Sequence, residues 1–351
     1  MTDTSAIETS EVPEGIDPDG VTGWFEAHAP GVDPPLRFSL IAGGRSNLTY
    51  AVTSAAGSLV LRRPPLRAVR PTAHDVAREH RVLSALAGTP VPVPRPVHLC
   101  TDPGVLGAPF YLMQRVDGFF VRDTFPAGYA DAPADRVAIT DALVDVLAEL
   151  HAVDPAAVGL AGFGRPEGYL ARQLRRWRGE WEALRDADRP AVDALAAALT
   201  ERLPDSPGGP VVHGDYRLDN VMLDPADPGR VVAVLDWEMS TLGDPLADLG
   251  LLAVYWQQGL PPGAPVITSS VTALPGFPTR SEVVERYAAR TGRDVSALPW
   301  YVGFGFFKLA VVVAGIVARH RAGAMADNTD DGLSGLIEPL TEGGRAALAG
   351  S

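Results

Sequence analysis

A single cysteine, Cys100, in 351 residues excludes an intrachain disulfide framework and any cysteine-based metal site. The expectation is a reducing, cytoplasmic setting, with Cys100 a small buried hydrophobe. Basic residues are also in short supply. With 30 Lys and Arg against 43 Asp and Glu, the net charge of −13 argues against nucleic acid or an anionic membrane as partner. The opening MTDTSAIETSEVPEG has neither a basic region nor an apolar one, so it does not read as a secretory signal. Residues 1–19 are expected to form a disordered acidic tail. Long hydrophobic runs are limited to Trp300 to Ala318, WYVGFGFFKLAVVVAGIVA, and Lys308 near its middle makes a buried helix a better reading than a membrane span. There is no internal repeat. The chain is long enough for two lobes, and 46% hydrophobic with 21% charged residues provides a sizeable core.

What is present concentrates between Val211 and Leu249. An apolar entry, Val211-Val212, leads into the polar loop His213-Gly214-Asp215-Tyr216-Arg217-Leu218-Asp219-Asn220 and a short strand, Val221 to Leu223. Two Asp-Pro steps and a glycine in Asp224 to Gly229 give strong turn chemistry, and the β-branched run Val231 to Leu235 fits a buried strand ending on Asp236. The spacing H-x-D-x-x-x-x-N, then a hairpin and a second Asp, is the catalytic-loop layout of phosphoryl transfer. In that layout Asp215 accepts the proton of a substrate hydroxyl, while Asn220 and Asp236 hold Mg²⁺. A transferring phosphoryl group and its leaving diphosphate are polyanionic, so carboxylates alone would repel them and a cation must bridge.

The set HGDYRLDN, LDWE and GDPLADLG resembles the aminoglycoside phosphotransferase and choline kinase-like branch of the protein-kinase-like superfamily. The phrases VLRRPP, REHRVLSAL and GAPFYLMQRVDG, recurring in this order before HGDYRLDN, are most similar to the kinase-like domains fused to acyl-CoA dehydrogenases. The resemblance covers roughly residues 20 to 325. It implies an α+β, two-lobed protein-kinase-like fold: a β-rich N-lobe over 20–113 binding the nucleotide, a hinge over 114–118, and a mainly helical C-lobe over 119–351. It also implies ATP and Mg²⁺ as cofactors and a small-molecule hydroxylated acceptor.

Site residues follow from the same resemblance. Gly43, Gly44 and Ser46 would form the phosphate-facing flap, although the segment lacks a G-x-G-x-x-G pattern. Arg62, or Arg63 one residue off, stands where kinases usually have a lysine, and Glu79 on the following helix would pair with it. Adenine would bond to backbone groups from Gln114 to Val116. Arg217 takes the place of a cation over the transferred phosphate, His213 orders the loop, Asp248 anchors it, and Asp244 caps the next helix.

For the acceptor, neither Leu251 to Arg280 nor Pro299 to Ala326 contains an acid, so the converging carboxylates that a polycation needs are missing there. Those stretches carry Tyr255, Trp256, Phe277, Trp300, Tyr301, Phe304, Phe306 and Phe307, with Lys308, Arg319, His320 and Arg321. An apolar or anionic hydroxylated acid fits them better, and the fused domains imply a hydroxyacyl-CoA. The alternatives are an aminoglycoside or amino-alcohol kinase, for which Asp327, Asp330 and Asp331 would be the acidic cluster, and an inactive nucleotide-binding pseudokinase. No oligomeric state is assigned.

Overall fold

The computed structural model describes residues 12–29, 34–42, 47–66, 75–184, 189–206, 208–256, 271–321 and 333–350. Gly43, Gly44 and Ser46, and the cluster Asp327, Asp330 and Asp331, lie outside these residues. The chain divides into two compact units, Met1–Asp117 and Gly118–Ser351.

The N-terminal unit is built on an antiparallel sheet of β1 (Arg37–Ala42), β2 (Leu48–Thr53), β3 (Ser58–Arg63), β4 (Pro96–Cys100) and β5 (Phe110–Gln114), in the order β1-β2-β3-β5-β4. Helix α1 (Pro18–His28) starts where the Asp17 carboxylate accepts from the N–H groups of Asp19 and Gly20, with Pro18 at the first helical position. Its Val21 and Phe25, four apart and so on one face, are fully buried with Tyr50, Leu61, Phe110 and Leu112. Cys100 is buried in the same cluster. Helix α2 (Val76–Leu86) is capped by Asp75 and buries Val76, Glu79, Val82, Leu83 and Leu86. A short helix, α3 (Pro103–Leu106), links β4 and β5.

The acidic-tail expectation is corrected for residues 13–19. Ile16 is buried, Tyr50 donates to the Glu14 carbonyl at 2.6 Å, and Arg63 donates to the Gly15 carbonyl. Apolar and main-chain contacts with the sheet override the polar composition of this segment.

In the C-terminal unit, β6 (Phe119–Phe120) is followed by helices α4 (Pro133–Ala152), α5 (Tyr169–Leu184) and α6 (Pro190–Glu201). Strands β7 (Val211–Val212), β8 (Val221–Leu223), β9 (Val231–Val234) and β10 (Thr241–Leu242) form two small sheets, β6-β8-β9 and β10-β7. Helices α7 (Pro245–Tyr255), α8 (Arg280–Thr291), α9 (Leu298–Arg321) and α10 (Ile337–Ala349) complete the unit.

The hydrophobic run becomes α9, which packs against α5, α6, α7 and α10, and 78% of its most apolar window is buried within the fold. A Cβ on Gly250 would stand 2.6 Å from the Tyr301 Cβ, so glycine is what lets α7 approach α9 this closely. A β-rich unit followed by a mainly helical one is the α+β division that the resemblance implies.

Candidate active site

The loop after β7 is held from within the C-terminal unit. Asp248, on the first turn of α7 and with no solvent exposure, accepts from the His213 and Gly214 N–H groups at 2.7 Å each. Its Oδ2 also lies 3.2 Å from His151 Nε2 at the end of α4, and His151 Nδ1 lies 2.6 Å from the Tyr287 hydroxyl on α8. Burial works to raise the Asp248 carboxyl, but hydrogen bonds and charge from His151 and His213 outweigh it and hold the group below its ordinary value.

His213 is fully buried, its Nδ1 accepting from the Asp215 N–H at 3.2 Å and its Nε2 lying 2.8 Å from the Leu235 carbonyl. A ring held at both nitrogens by the backbone is fixed in orientation, which suits ordering the loop. Tyr216 closes the set by donating to the Leu143 carbonyl of α4 at 2.8 Å.

Gly214 has φ +86°, and a Cβ there would meet the Met239 carbonyl oxygen at 2.7 Å. The position accepts glycine alone without distortion.

Asp215 projects from this clamped backbone. Asn220, at the end of a 3-10 turn over Leu218–Asn220, donates its Nδ2 both to the Asp215 carbonyl at 2.7 Å and to Asp215 Oδ2 at 2.9 Å. With its amide nitrogen committed, Asn220 presents Oδ1 as its remaining polar atom. The hairpin then brings Asp236 round: Val221 pairs with Val234, and the Leu235 N–H donates to the Asn220 carbonyl at 2.8 Å, one residue before Asp236. Asp236 has φ 63° and ψ 61°, the left-handed region that aspartate enters more readily than most residues.

Among the described residues no group of three or more His, Cys, Asp or Glu side chains is placed to hold a metal ion. One amide oxygen and one carboxylate fit a hard cation such as Mg²⁺, which keeps waters and takes its other ligands from substrate phosphates.

Arg217 lies beside Asp215, with Nε 3.6 Å from Asp215 Oδ2 and an Nη1 3.8 Å from Asp219 Oδ2. Its guanidinium sits 4.8 Å from the centre of the Tyr255 ring. Burial alone would lower Arg217, but Asp215, Tyr255, Asp219 and Asp236 together raise it above its ordinary value. Its Nε is buried and makes no hydrogen bond, its contact with Asp215 Oδ2 at 3.6 Å being an ion pair only. A small adjoining cavity is lined by Arg217, Leu218, Asp219, Leu252, Tyr255, Trp256 and Thr272.

In the N-terminal unit, Arg62 Nε pairs with Glu79 Oε2 at 2.8 Å, with the carboxylate buried, and an Arg62 Nη1 donates to Thr49 Oγ1 at 3.2 Å. Asn47 donates to the same Glu79 oxygen at 3.2 Å. Arg63 takes the opposite face of β3, as strand alternation requires, and donates to the Gly15 and Leu106 carbonyls. The two-residue ambiguity on β3 thus resolves geometrically, with Arg62 beside Glu79 and Arg63 in the structural role. Gln114 ends β5, its N–H donating to the Arg95 carbonyl at 2.8 Å, and Val116 is partly exposed beyond it.

Most of the C-lobe aromatics fill the core. Trp300 donates to the Leu199 carbonyl at 2.9 Å, Tyr301 to Asp244 at 2.8 Å, and Phe304, Phe306 and Phe307 are buried along α9. Of the eight, only Tyr255 and Trp256 line the cavity beside the loop. Sequence reasoning does not connect His151, Tyr287 or Lys308 with the loop. Their partners are 97, 136 and 94 residues away, so no local signal carries them.

A model of the phosphotransferase enzyme family matches residues 37–292. Acyl-CoA dehydrogenase family member 11 of Rattus norvegicus is 34% identical over 332 residues, which span 92% of this chain and 42% of the relative. The chain therefore spans less than half the length of that relative. A Ralstonia eutropha protein named provisionally as an aminoglycoside phosphotransferase has a crystal structure similar to this one, with 34% identity and a TM-score of 0.81 over 95% of this chain and 98% of that one. A thermostable mutant of aminoglycoside phosphotransferase APH(4)-Ia, in ternary complex with AMP-PNP and hygromycin B, shares the fold at 14% identity and a TM-score of 0.60, over 95% of this chain and 97% of that one. The fold and the loop place the chain in the class of kinase-like phosphotransferases. The chain belongs to the phosphotransferase enzyme family.

Proposed function

We propose that the chain transfers the γ-phosphoryl group of ATP, with Mg²⁺, to the hydroxyl of an apolar hydroxylated acid, of which a hydroxyacyl-CoA is the representative. The observation that carries the reaction is the Asp215 carboxylate, held by Asn220 at 2.9 Å on a loop whose backbone is clamped by Asp248. Asp215 takes the acceptor's proton as the new O–P bond forms and the bond to the ADP oxygen breaks, and the proton then passes to solvent. Arg217 faces the negative charge that develops on the transferring group. His213 and Asp248 keep the loop in place. When bound, Mg²⁺ neutralises phosphate charge, and Asn220 Oδ1 and the Asp236 carboxylate would hold it.

In the N-terminal unit, Arg62, oriented by Glu79 and Thr49, contacts nucleotide phosphate, and backbone groups from Gln114 to Val116 meet the adenine. Gly43, Gly44 and Ser46 would complete the phosphate contacts. The AMP-PNP held by APH(4)-Ia, which shares the fold, supports the nucleotide reading.

The choice of acceptor rests on the absence of acids from Leu251 to Arg280 and from Pro299 to Ala326, and on the one carboxylate that lines the small cavity beside the loop, Asp219, which already lies 3.8 Å from Arg217. Among the residues lining that cavity, a polycationic aminoglycoside would find only a carboxylate that already faces Arg217, and burying several ammonium groups without counter-charge is costly.

The test is transfer from γ-labelled ATP to a hydroxyacyl-CoA and to kanamycin, with kcat/KM measured for both. The acid is expected to be the better substrate, and Asp215→Asn to lower turnover by about 10²–10⁴-fold while folding is kept. Preference for kanamycin overturns the acceptor assignment. Wild-type-like turnover by Asp215→Asn overturns the mechanism.

A further inference from the structure

Lys308 is the only lysine in the chain. It sits midway along α9, and its ammonium donates to the Gly214 carbonyl at 2.9 Å, 94 residues away in sequence. The Trp177 ring of α5 lies 5.5 Å from the same nitrogen, close enough for a cation–π contact. The surrounding charged groups are Asp215 on the loop, Asp248 on α7, Arg176 on α5 and Arg217.

The Gly214 residue is therefore gripped on both sides by opposite charges. Its N–H points to the Asp248 carboxylate at 2.7 Å and its carbonyl to the Lys308 ammonium. The peptide joining Gly214 to Asp215 is likewise fixed at both polar atoms, its carbonyl by Lys308 and its N–H by His213 Nδ1 at 3.2 Å. A peptide held at both ends cannot rotate without breaking a charge-assisted bond, so its plane, and with it the direction in which the Asp215 side chain leaves the backbone, is set. Asp248 and His213 alone leave the carbonyl end unpinned. Gly214, lacking a Cβ and standing at φ +86°, is the residue of the loop with the most freedom to turn.

We infer that Lys308 is a positioning residue for phosphoryl transfer: its hydrogen bond to the Gly214 carbonyl fixes the peptide plane from which the Asp215 carboxylate is presented to the acceptor. The inference rests on the proposed role of Asp215. An ordinary helix lysine snorkelling to solvent would show no such bond and would be silent on substitution.

Three variants decide it. Lys308→Met keeps length and apolar packing but removes every donor, Lys308→Gln restores a neutral donor, and Lys308→Arg restores a charged one. In Lys308→Met, kcat is expected to fall about 10–100-fold, as for misplacement of a catalytic group by about 1 Å. The KM for ATP should stay within about 2-fold, a split that marks transition-state positioning. Lys308→Arg or Lys308→Gln should recover most of the loss. Amide hydrogen exchange over residues 211–218 should quicken about 10-fold in Lys308→Met while α9 stays protected.

A kcat within 2-fold of wild type in Lys308→Met overturns the inference, as does a loss that neither donor-bearing variant repairs. Because the exchange measurement needs no turnover, it separates the two readings. Faster exchange in Lys308→Met together with a fully active Asp215→Asn would refute the role of Asp215 and leave the clamp standing. Unchanged exchange with an inactive Asp215→Asn would refute the clamp alone.

Discussion

Replacing Asp248 by alanine should cost more stability than any other single change near the catalytic loop. The carboxylate has no solvent exposure and serves the His213 N–H, the Gly214 N–H and His151 Nε2. Its removal leaves two main-chain donors, the His213 one buried and the Gly214 one partly so, without an acceptor, at about 1–3 kcal/mol each, and takes the partner from His151 Nε2. Water entry and local relaxation recover part of this, so the expected net loss is about 3–5 kcal/mol, or a fall in Tm on the order of 10 °C for a unit of this size. Urea unfolding followed by tryptophan fluorescence is a suitable assay, since five of the six tryptophans lie in the C-terminal unit. The pH dependence supplies a second check. The folded Asp248 carboxyl is held below its ordinary value, so its stabilisation is complete above roughly pH 4 and is lost as pH falls from there towards the folded value. The alanine variant should lack that part of the acid destabilisation. A loss below about 1 kcal/mol, or an acid profile unchanged from wild type, would refute the view that Asp248 holds the loop as a buried carboxylate.

Asp236→Ala should weaken ATP binding in the presence of Mg²⁺ far more than in its absence, as calorimetry under both conditions will show, and equal losses would reduce Asp236 to a structural turn residue. Arg62→Ala should raise the KM for ATP strongly while Arg62→Lys keeps partial activity, because the charge beside Glu79 matters before its fork geometry. Arg63→Ala, by contrast, should leave that KM alone and destabilise the N-terminal unit by about 1–3 kcal/mol, because the Gly15 and Leu106 carbonyls lose their donor. Steady-state kinetics and thermal melts on the three proteins test both statements. Gly214→Ala should lower turnover at least 10-fold, since a Cβ would stand 2.7 Å from the Met239 carbonyl oxygen at a φ of +86°. Activity near wild type there would mean that the loop has slack.

The parts of the site that could be read from sequence are those whose geometry is local. His213, Asp215 and Asn220 lie within one loop, and Asp236 returns to them through a hairpin marked by Asp-Pro steps and a β-branched strand. Arg62 and Glu79 are 17 residues apart, and strand alternation allows only one arginine of the pair to turn towards the helix, which the fold shows to be Arg62. Composition served less well. The acidic residues before Asp17 read as a tail, although the Glu14 and Gly15 carbonyls are bonded by Tyr50 and Arg63 from a sheet that the composition does not register. The aromatics of α9 read as material for an acceptor site. A helix buried nearly all round carries no polar face to say which side chains fill the core and which border a cavity.

Lys308 shows the same limit from the other direction. Within the apolar run it reads as an interruption that argues against a membrane span, and that reading uses only its charge. Its position at the centre of the run carries the further information. A cation among core-facing residues needs an acceptor, and on a helix packed behind the catalytic loop the acceptor it meets is the Gly214 carbonyl. Sequence can therefore indicate that such a lysine has a buried partner, and only the packing of α9 against the loop shows which one. The residues proposed to bear the reaction's charge changes lie in a compact motif, whereas those that hold the motif still are spread over α4, α7, α8 and α9, where each looks like an ordinary core or capping residue until the chain is folded.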